Sequence, residues 1–351
     1  MTKKRTVPFL RTAAFLTVLG LSGSGCSLVK IATGPKWSER AAPIAVTSAI
    51  SDHRGKDRLV FLVFGDAGTG EADQQRVADR MAAECRAREG CDFALMAGDN
   101  IYESGVRPAN DRGEPDPRFS TQFEVPYREL GRMDFWAVAG NHDWYRRRSV
   151  EAQVAYTNES LRWRMLSHDY AIPMLPAWIR IYALDTTKIV KRRESGQIDR
   201  AKQELCGGGG WKLLLGHHPI YSSGTHASRG GELPRVKAGL LGPLIESCGV
   251  HLYFAGHDHH QEHLTAASFD QIVQGAAGKL RRLREVRDRS PDVRQLAVES
   301  KFGFAVIEVT RERLELRFFG YPGQGGSEEL HCRILELATF DDPGRRSRPC
   351  D

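Results

Sequence analysis

Long apolar runs, net charge and cysteine are all scarce in this 351-residue sequence. The apolar stretch near its start, residues 12–21, is too short to cross a bilayer, which takes roughly 20 apolar residues. The formal net charge of +6 falls to +2 without residues 1–25, and so small a charge gives no reason to expect nucleic-acid binding. Because we find neither an internal repeat nor a second domain boundary, we expect a single large domain after the first 25 residues.

The first 25 residues have the pattern of a secretory signal. Basic residues come first, the apolar stretch follows, and small residues end the segment. Cys26 comes directly afterwards, as at a bacterial lipoprotein processing site, although Gly23 stands where such sites usually have leucine. The sequence therefore predicts export and leaves two alternatives open, a periplasmic protein or a lipoprotein anchored to a membrane through Cys26. Residues 26–56 are polar and irregular, and we interpret them as a tether.

Cysteine is limited to seven residues, and six remain once Cys26 is set aside. An even number in an exported protein permits up to three disulfides, but the spacing leaves the connectivity open, and some of the six could be small buried apolar residues. We predict one pair, Cys85 with Cys91, because the turn at Glu89-Gly90 can bring a helix end close to the start of a strand.

Strand and helix patterns alternate as far as residue 255 and then give way to strands alone. Apolar runs typical of buried strands end at residues 64, 97, 139, 184, 215 and 255, and helical patterns cover residues 72–88, 197–205 and 236–247. Further strands are predicted at 270–274, 303–309, 313–319 and 329–337. This order predicts an α/β domain over residues 57–338, with the later strands completing a second sheet and residues 339–351 forming a C-terminal tail.

Five of the predicted strands end in glycine followed at once by a side chain that can bind a metal. These ends are Gly65-Asp66, Gly98-Asp99, Gly140-Asn141, Gly216-His217 and Gly256-His257. A single Gly-Asp pair is ordinary turn chemistry, but loops at the carboxyl ends of neighbouring strands converge on one place. Carboxylate, amide and imidazole ligands suit hard and borderline metals, whereas soft thiolate sites use cysteine. The pattern therefore predicts a metal centre.

The segments that contain these ends resemble the five sequence blocks of the calcineurin-like metallophosphoesterases. They are Gly65-Asp66-Ala67-Gly68, Gly98-Asp99-Asn100-Ile101-Tyr102, Gly140-Asn141-His142-Asp143, Gly216-His217-His218-Pro219 and Gly256-His257-Asp258-His259. The resemblance covers about residues 57–338 and implies an αββα sandwich, with two mixed sheets flanked by helices. Two details are similar to the purple acid phosphatases: Gly68 replaces a superfamily histidine, and Tyr102 stands where purple enzymes bind ferric iron. The surrounding segments, among them residues 152–156 and Arg162-Trp163, resemble the small tartrate-resistant type.

The resemblance implies a set of ligands for two metal ions. Asp66, Tyr102 and His259 would hold Fe(III), and Asn141, His217 and His257 would hold a second, divalent ion of iron, zinc or manganese, with Asp99 bridging the two. It also implies two catalytic histidines, His142 facing the phosphoryl group and His226 as a proton donor to the leaving oxygen. Two ions roughly 3.5–4 Å apart can hold a phosphate and lower the pKa of water.

The implied activity is hydrolysis of phosphate monoesters by an acid phosphatase, which we expect to act as a monomer on a small phosphorylated substrate without nucleic acid. One alternative is a phosphodiesterase or phospholipase of the same superfamily with a manganese or zinc pair, and Tyr102 distinguishes it because a ferric phenolate would colour the protein. The other is a non-catalytic envelope lipoprotein, against which the intact set of ligands argues.

Overall fold

The computed structural model describes residue 46 and residues 49–194, 196–228, 231–283, 291–321, 328–338 and 345–350. The strands of this part of the chain are β1 (Arg58–Phe64), β2 (Phe93–Met96), β3 (Asp134–Ala137), β4 (Trp163–Arg164), β5 (Tyr170–Ala171), β6 (Ile179–Ala183), β7 (Trp211–Leu215), β8 (Leu252–Ala255), β9 (Gln261–Thr265), β10 (Asp270–Gln274), β11 (Arg294–Glu299), β12 (Phe302–Thr310), β13 (Arg313–Tyr321), β14 (Glu328–Leu337) and β15 (Arg345–Pro349). Its α-helices are α1 (Ala72–Ala87), α2 (Ser149–Tyr156), α3 (Thr186–Val190), α4 (Gln197–Leu205) and α5 (Glu232–Leu240).

The strands form two mixed sheets. The first has the order β15-β14-β13-β12-β1-β2-β3-β4, in which β1 to β4 are parallel and β12 to β15 are antiparallel. The second has the order β11-β9-β10-β8-β7-β6-β5, with four parallel strands at its centre. This arrangement confirms the predicted α/β fold with two mixed sheets.

The sheets pack face to face because their central strands are apolar on both sides. Every residue of β1 after Arg58 is buried, and the ring of Phe61 meets that of Phe254 in β8 with 6.3 Å between ring centroids. In β7, Leu213 belongs to this shared core, whereas Leu214 belongs to a second cluster under helices α3 to α5. This alternation follows from the two-residue period of a strand. Helix α1 packs on the outer face of the first sheet, so the domain has four layers: helices, two sheets and helices.

The domain extends beyond both predicted boundaries. Residues 49–56, predicted as part of the tether, pack on the domain: Ser51 donates its backbone N–H to Asp134 (2.8 Å), and His53 is buried. At the other end, β15 pairs with β14, where a tail was predicted. The predicted signal and Cys26 lie outside the described residues. None of the helices in the described ranges is both long enough and apolar enough to cross a membrane.

Six cysteines form three disulfides, Cys85–Cys91, Cys206–Cys248 and Cys332–Cys350. The first confirms the predicted pair, and the third joins β14 to the residue after β15. Disulfides are typical of proteins that work in an oxidising compartment.

We expect the double variant C85S/C91S to lose about 2 kcal/mol of unfolding free energy, because the disulfide closes a short loop in the unfolded chain. Denaturant titration of the variant and the wild type measures this difference. Non-reducing peptide mapping of protein prepared without reductant checks the pairing, and free thiols at both positions would refute it.

Candidate metal centre

The candidate ligands lie where strands of both sheets end. Asp66, Asp99 and Asn141 follow β1, β2 and β3 of the first sheet. His217 and His257 follow β7 and β8 of the second sheet. Because the strands within each group are parallel, their carboxyl ends share one edge, and the packing of the two sheets brings the two edges together.

Glycine precedes these ligands because the loops approach one another too closely for a side chain. At Gly98, where φ is +86°, an added Cβ would lie 2.7 Å from Nδ1 of His217. At Gly140, an added Cβ would overlap the Asp99 carboxylate. The repeated Gly-ligand pattern in the sequence therefore has a steric cause, in addition to its turn chemistry.

Three of the ligand positions have a left-handed backbone, with φ of 55° at Asp66, 51° at Asp99 and 69° at His257. Such conformations cost on the order of 1–3 kcal/mol each and cluster at functional sites. Here the loops are tied to one another, since the His257 N–H donates to Asp66 Oδ2 (2.7 Å) and the His142 N–H donates to Asp99 Oδ1 (2.8 Å). These hydrogen bonds hold the strained segments in register.

One group of candidate ligands surrounds the hydroxyl of Tyr102. This oxygen lies 3.0 Å from Asp66 Oδ1, 2.9 Å from Asp99 Oδ2 and 3.4 Å from His259 Nε2. Nε2 of His259 is in turn 3.3 Å from Asp66 Oδ1. The four side chains predicted around the first metal therefore converge through their donor atoms.

A second group joins Asn141, His217 and His257. Asn141 Oδ1 lies 3.1 Å from His217 Nε2 and 2.9 Å from His257 Nδ1, and the two nitrogens are 3.2 Å apart. The other nitrogen of His217 lies 2.8 Å from the Ala97 carbonyl. A carbonyl oxygen only accepts hydrogen bonds, so Nδ1 of the neutral ring carries the proton and Nε2 directs a lone pair towards Asn141 Oδ1.

Asp99 lies between the two groups. Its Oδ2 contacts Tyr102, and its Oδ1 lies 3.5 Å from Nε2 of His217. A carboxylate in this position could contact an ion in each group, which is the bridging role that the sequence resemblance implies.

The electrostatics of these residues fit bound cations. Asp66 and Asp99 are buried, with 0 % and 1 % exposure. Burial raises the pKa of Asp66 to about 7; His217 acts in the opposite direction, and the Asp99 carboxylate raises the pKa further. A cation beside the two carboxylates would offset this unfavourable burial, and the oxygen and imidazole donors suit iron, zinc or manganese.

The imidazoles are in the form that binds metal. Burial lowers the pKa of His257 to about 4 and that of His259 to about 3, so both rings are neutral near pH 7. For His259, the guanidinium of Arg281 is the second largest cause of the lowered pKa. A neutral ring keeps a lone pair for a cation.

The two predicted catalytic histidines border the ligands. His142 stands with Nδ1 2.6 Å from the Glu103 carbonyl and Nε2 3.9 Å from Asp99 Oδ2. The ring of His226 packs against that of His257, with 4.0 Å between centroids and an angle of 45° between the ring planes. Both side chains are partly exposed, about one fifth each.

Glu232, the first residue of α5, was not predicted from the sequence. Its Oε2 lies 3.1 Å from His257 Nε2 and 3.6 Å from His226 Nδ1. The residue follows no strand and belongs to none of the five blocks, so no sequence signal marked it. Together with the two histidines it forms a cluster whose ligand atoms all lie within 4.8 Å of one another.

Comparisons of the sequence with known proteins identify a family and several acid phosphatase relatives. A model of the family described as calcineurin-like phosphoesterase matches residues 59–261. Tartrate-resistant acid phosphatase type 5 of Homo sapiens is 27 % identical over 263 residues, which cover 67 % of this chain and 77 % of that protein. Purple acid phosphatase 4 of Arabidopsis thaliana is 29 % identical over 290 residues, which cover 76 % of this chain and 81 % of that protein.

Solved structures are similar in fold. GAP50, the anchor in the inner membrane complex of Plasmodium, superposes with a TM-score of 0.63 at 22 % identity over 78 % of this chain and 89 % of that one. Purple acid phosphatase PPD1 of yellow lupin seeds superposes with a TM-score of 0.56 at 15 % identity, over 79 % of this chain and 54 % of that one.

Proposed function

The chain belongs to the calcineurin-like phosphoesterase family, and on that basis we propose that it is a purple-type acid phosphatase that hydrolyses phosphate monoesters at a dinuclear centre of Fe(III) and a divalent metal. That it is a metal-dependent phosphoesterase rests on the family and its acid phosphatase relatives. The finer assignment to an iron centre acting on monoesters is the proposal. The observation that carries it is the position of Tyr102.

Tyr102 supports a ferric ion because of its surroundings. Burial, together with the carboxylates of Asp66 and Asp99, raises the pKa of this phenol well above its ordinary value. A strong positive charge is therefore needed for the phenol to ionise, and bound cations reverse the local pKa in this way. A trivalent ion supplies more charge than a divalent one, and a phenolate is a hard anionic oxygen ligand suited to it.

When bound, the metals supply Lewis acidity, which polarises a phosphoryl oxygen and lowers the pKa of water. One ion would be held by Asp66, Tyr102 and His259. The other ion would be held by Asn141, His217 and His257, and Asp99 would contact both ions. The remaining steps belong to histidines. His142 donates Nδ1–H to the Glu103 carbonyl, which orients its ring and leaves Nε2 facing the site.

His226 is proposed to give a proton to the leaving oxygen, a contribution worth roughly 10²–10⁴-fold. The carboxylate of Glu232 lies 3.6 Å from its Nδ1. His142 would stabilise the charge on the phosphoryl oxygens. Asp143 supports both loops, because its carboxylate accepts N–H bonds from Gly140 (2.9 Å) and Asn100 (3.1 Å).

The proposal extends to location and partners. The three disulfides suit an exported protein, and we propose a periplasmic protein or a lipoprotein anchored through Cys26, acting as a monomer on a small phosphorylated substrate. The low net charge supports a substrate other than nucleic acid.

The test measures phosphoester hydrolysis and metal content on the same purified protein. We expect acid-pH hydrolysis of p-nitrophenyl phosphate to exceed that of bis(p-nitrophenyl) phosphate clearly, and elemental analysis to find about one iron and one further divalent metal per chain. A preference for the diester with a zinc or manganese pair would favour the phosphodiesterase alternative. Two bound metals without hydrolysis of either ester would favour a non-catalytic protein.

A further inference from the structure

One carboxylate contacts both the metal ligands and the catalytic edge of the site. Glu232 begins α5, directly after Gly231 with its φ of 69°. Its side chain is 25 % exposed and reaches two histidines, with Oε2 3.1 Å from Nε2 of His257 and 3.6 Å from Nδ1 of His226. The centroids of the two rings are 4.0 Å apart and the ring planes are tilted by 45°, so a single group faces both rings.

The contact with His257 determines which nitrogen of that ring faces the metal. An ionised carboxylate only accepts hydrogen bonds, so in the neutral ring Nε2 carries the proton and donates to Glu232. Nδ1 then has a free lone pair, and it lies 2.9 Å from Asn141 Oδ1 and 3.2 Å from His217 Nε2. The opposite tautomer would point an N–H at the place where a metal would be held.

A second side chain, that of Arg281, contacts the nitrogen of His226 that does not face Glu232. Nη1 of Arg281 lies 2.9 Å from Nε2 of His226, whereas Glu232 faces the other ring nitrogen, Nδ1, at 3.6 Å. The two side chains therefore hold the ring from its two nitrogens. The backbone of Arg281 is held in place as well, because its N–H donates to the His259 carbonyl (2.9 Å) and its carbonyl accepts from Ser300 (2.8 Å).

We propose that Glu232 is a positioning residue that fixes the tautomer of His257 and helps to hold the ring of His226 in place, and so couples retention of the second metal to the position of the proposed proton donor. The network runs from Arg281 through His226 to Glu232 and on to His257. This inference rests on the proposed function, since it takes His257 as a ligand and His226 as the proton donor.

A purely structural role for Glu232 must be distinguished, because an acidic residue in the first turn also stabilises a helix. The test compares E232Q with E246Q, a change of the same kind at an exposed position in the helical segment after α5. E232D, which keeps the charge on a shorter side chain, is the conservative variant. Metal affinity is measured by chelator competition with Zn²⁺ as the probe, alongside kcat, KM and the melting temperature.

We expect E232Q to bind the second metal roughly 10–100-fold more weakly, as is typical when a group that orients a ligand is lost. Its kcat should fall more than its KM changes, E232D should recover part of both losses, and E246Q should match the wild type. Wild-type metal affinity and kcat in E232Q would overturn the proposal. Equal losses in E232Q and E246Q would also overturn it, because the effect would then come from general destabilisation.

The same measurements separate this proposal from the proposed function. A wild-type protein that binds two metals but hydrolyses no monoester would refute the phosphatase assignment, while the metal affinity of E232Q would still decide the role of Glu232 towards His257. A wild-type protein that binds no Zn²⁺ at this position would overturn the role of Glu232 directly.

Discussion

Replacing Asp99 with alanine is expected to remove most of the bound metal and to lower activity by at least about 10³-fold. The reason is that Asp99 faces both groups of ligands, with Oδ2 2.9 Å from the Tyr102 hydroxyl and Oδ1 3.5 Å from His217 Nε2. Loss of metal removes several kcal/mol of charge stabilisation in the transition state, and each 1.36 kcal/mol corresponds to a factor of ten. Elemental analysis of the purified variant and steady-state kinetics measure both effects.

Two controls make the result specific to the bridge. N141A should chiefly release the second metal, because Asn141 Oδ1 lies beside His217 and His257, the other two residues of the second group. D134N changes a buried carboxylate at the opposite end of β3, where Asp134 pairs with Arg164, and it should retain both metals even if it is less stable. Equal metal content in D99A, N141A and the wild type would contradict the ligand assignment.

The second large effect is spectroscopic. If Tyr102 binds Fe(III) as a phenolate, the purified protein should have a broad visible charge-transfer band, and Y102F should lose that band completely. Removal of the hydroxyl takes away the donor orbital, whereas Asp66, Asp99 and His259 remain to hold iron. Absorption spectra at matched iron content, determined on the same samples, measure the loss.

Y145F is the matched control for this experiment. Tyr145 lies close by and accepts a hydrogen bond from Asn141 Nδ2 (2.9 Å), but it is 56 % exposed and outside the cluster of carboxylates. Its variant should keep the band. A colourless and fully active wild type that contains only zinc or manganese would refute the iron assignment and leave the phosphoesterase assignment intact.

The sequence was informative about the site because the fold repeats one local arrangement, a strand end followed by glycine and then a candidate ligand. Parallel strands end at a common edge, and the close approach of the loops there requires glycine before the ligand, as at Gly98 and Gly140. The five Gly-ligand ends could therefore be found without a structure. Tyr102, His259 and His226 came instead from the resemblance to a family, since no periodicity marks them.

The domain boundaries were less predictable. Residues 49–56 are polar, and their place against the domain depends on distant partners, such as Asp134 for Ser51 and Arg164 for Ala49. β15 is rich in arginine and reads as a tail, yet it pairs with β14 and is followed by Cys350, which is bonded to Cys332. Contacts at such separations leave no local pattern in the chain.

The sequence by itself determined the alternation of strand and helix, the apolar residues of the buried strands, the five Gly-ligand ends and the Cys85–Cys91 pair, because all of these depend on period, spacing or short loops. Only the tertiary structure decided that the edges of two sheets meet, which nitrogen of His217 and His257 faces the ligands, and that Glu232 lies behind both His257 and His226. The physical reason is that side-chain direction and tautomer depend on hydrogen-bond partners brought together by packing, and those partners are far apart along the chain.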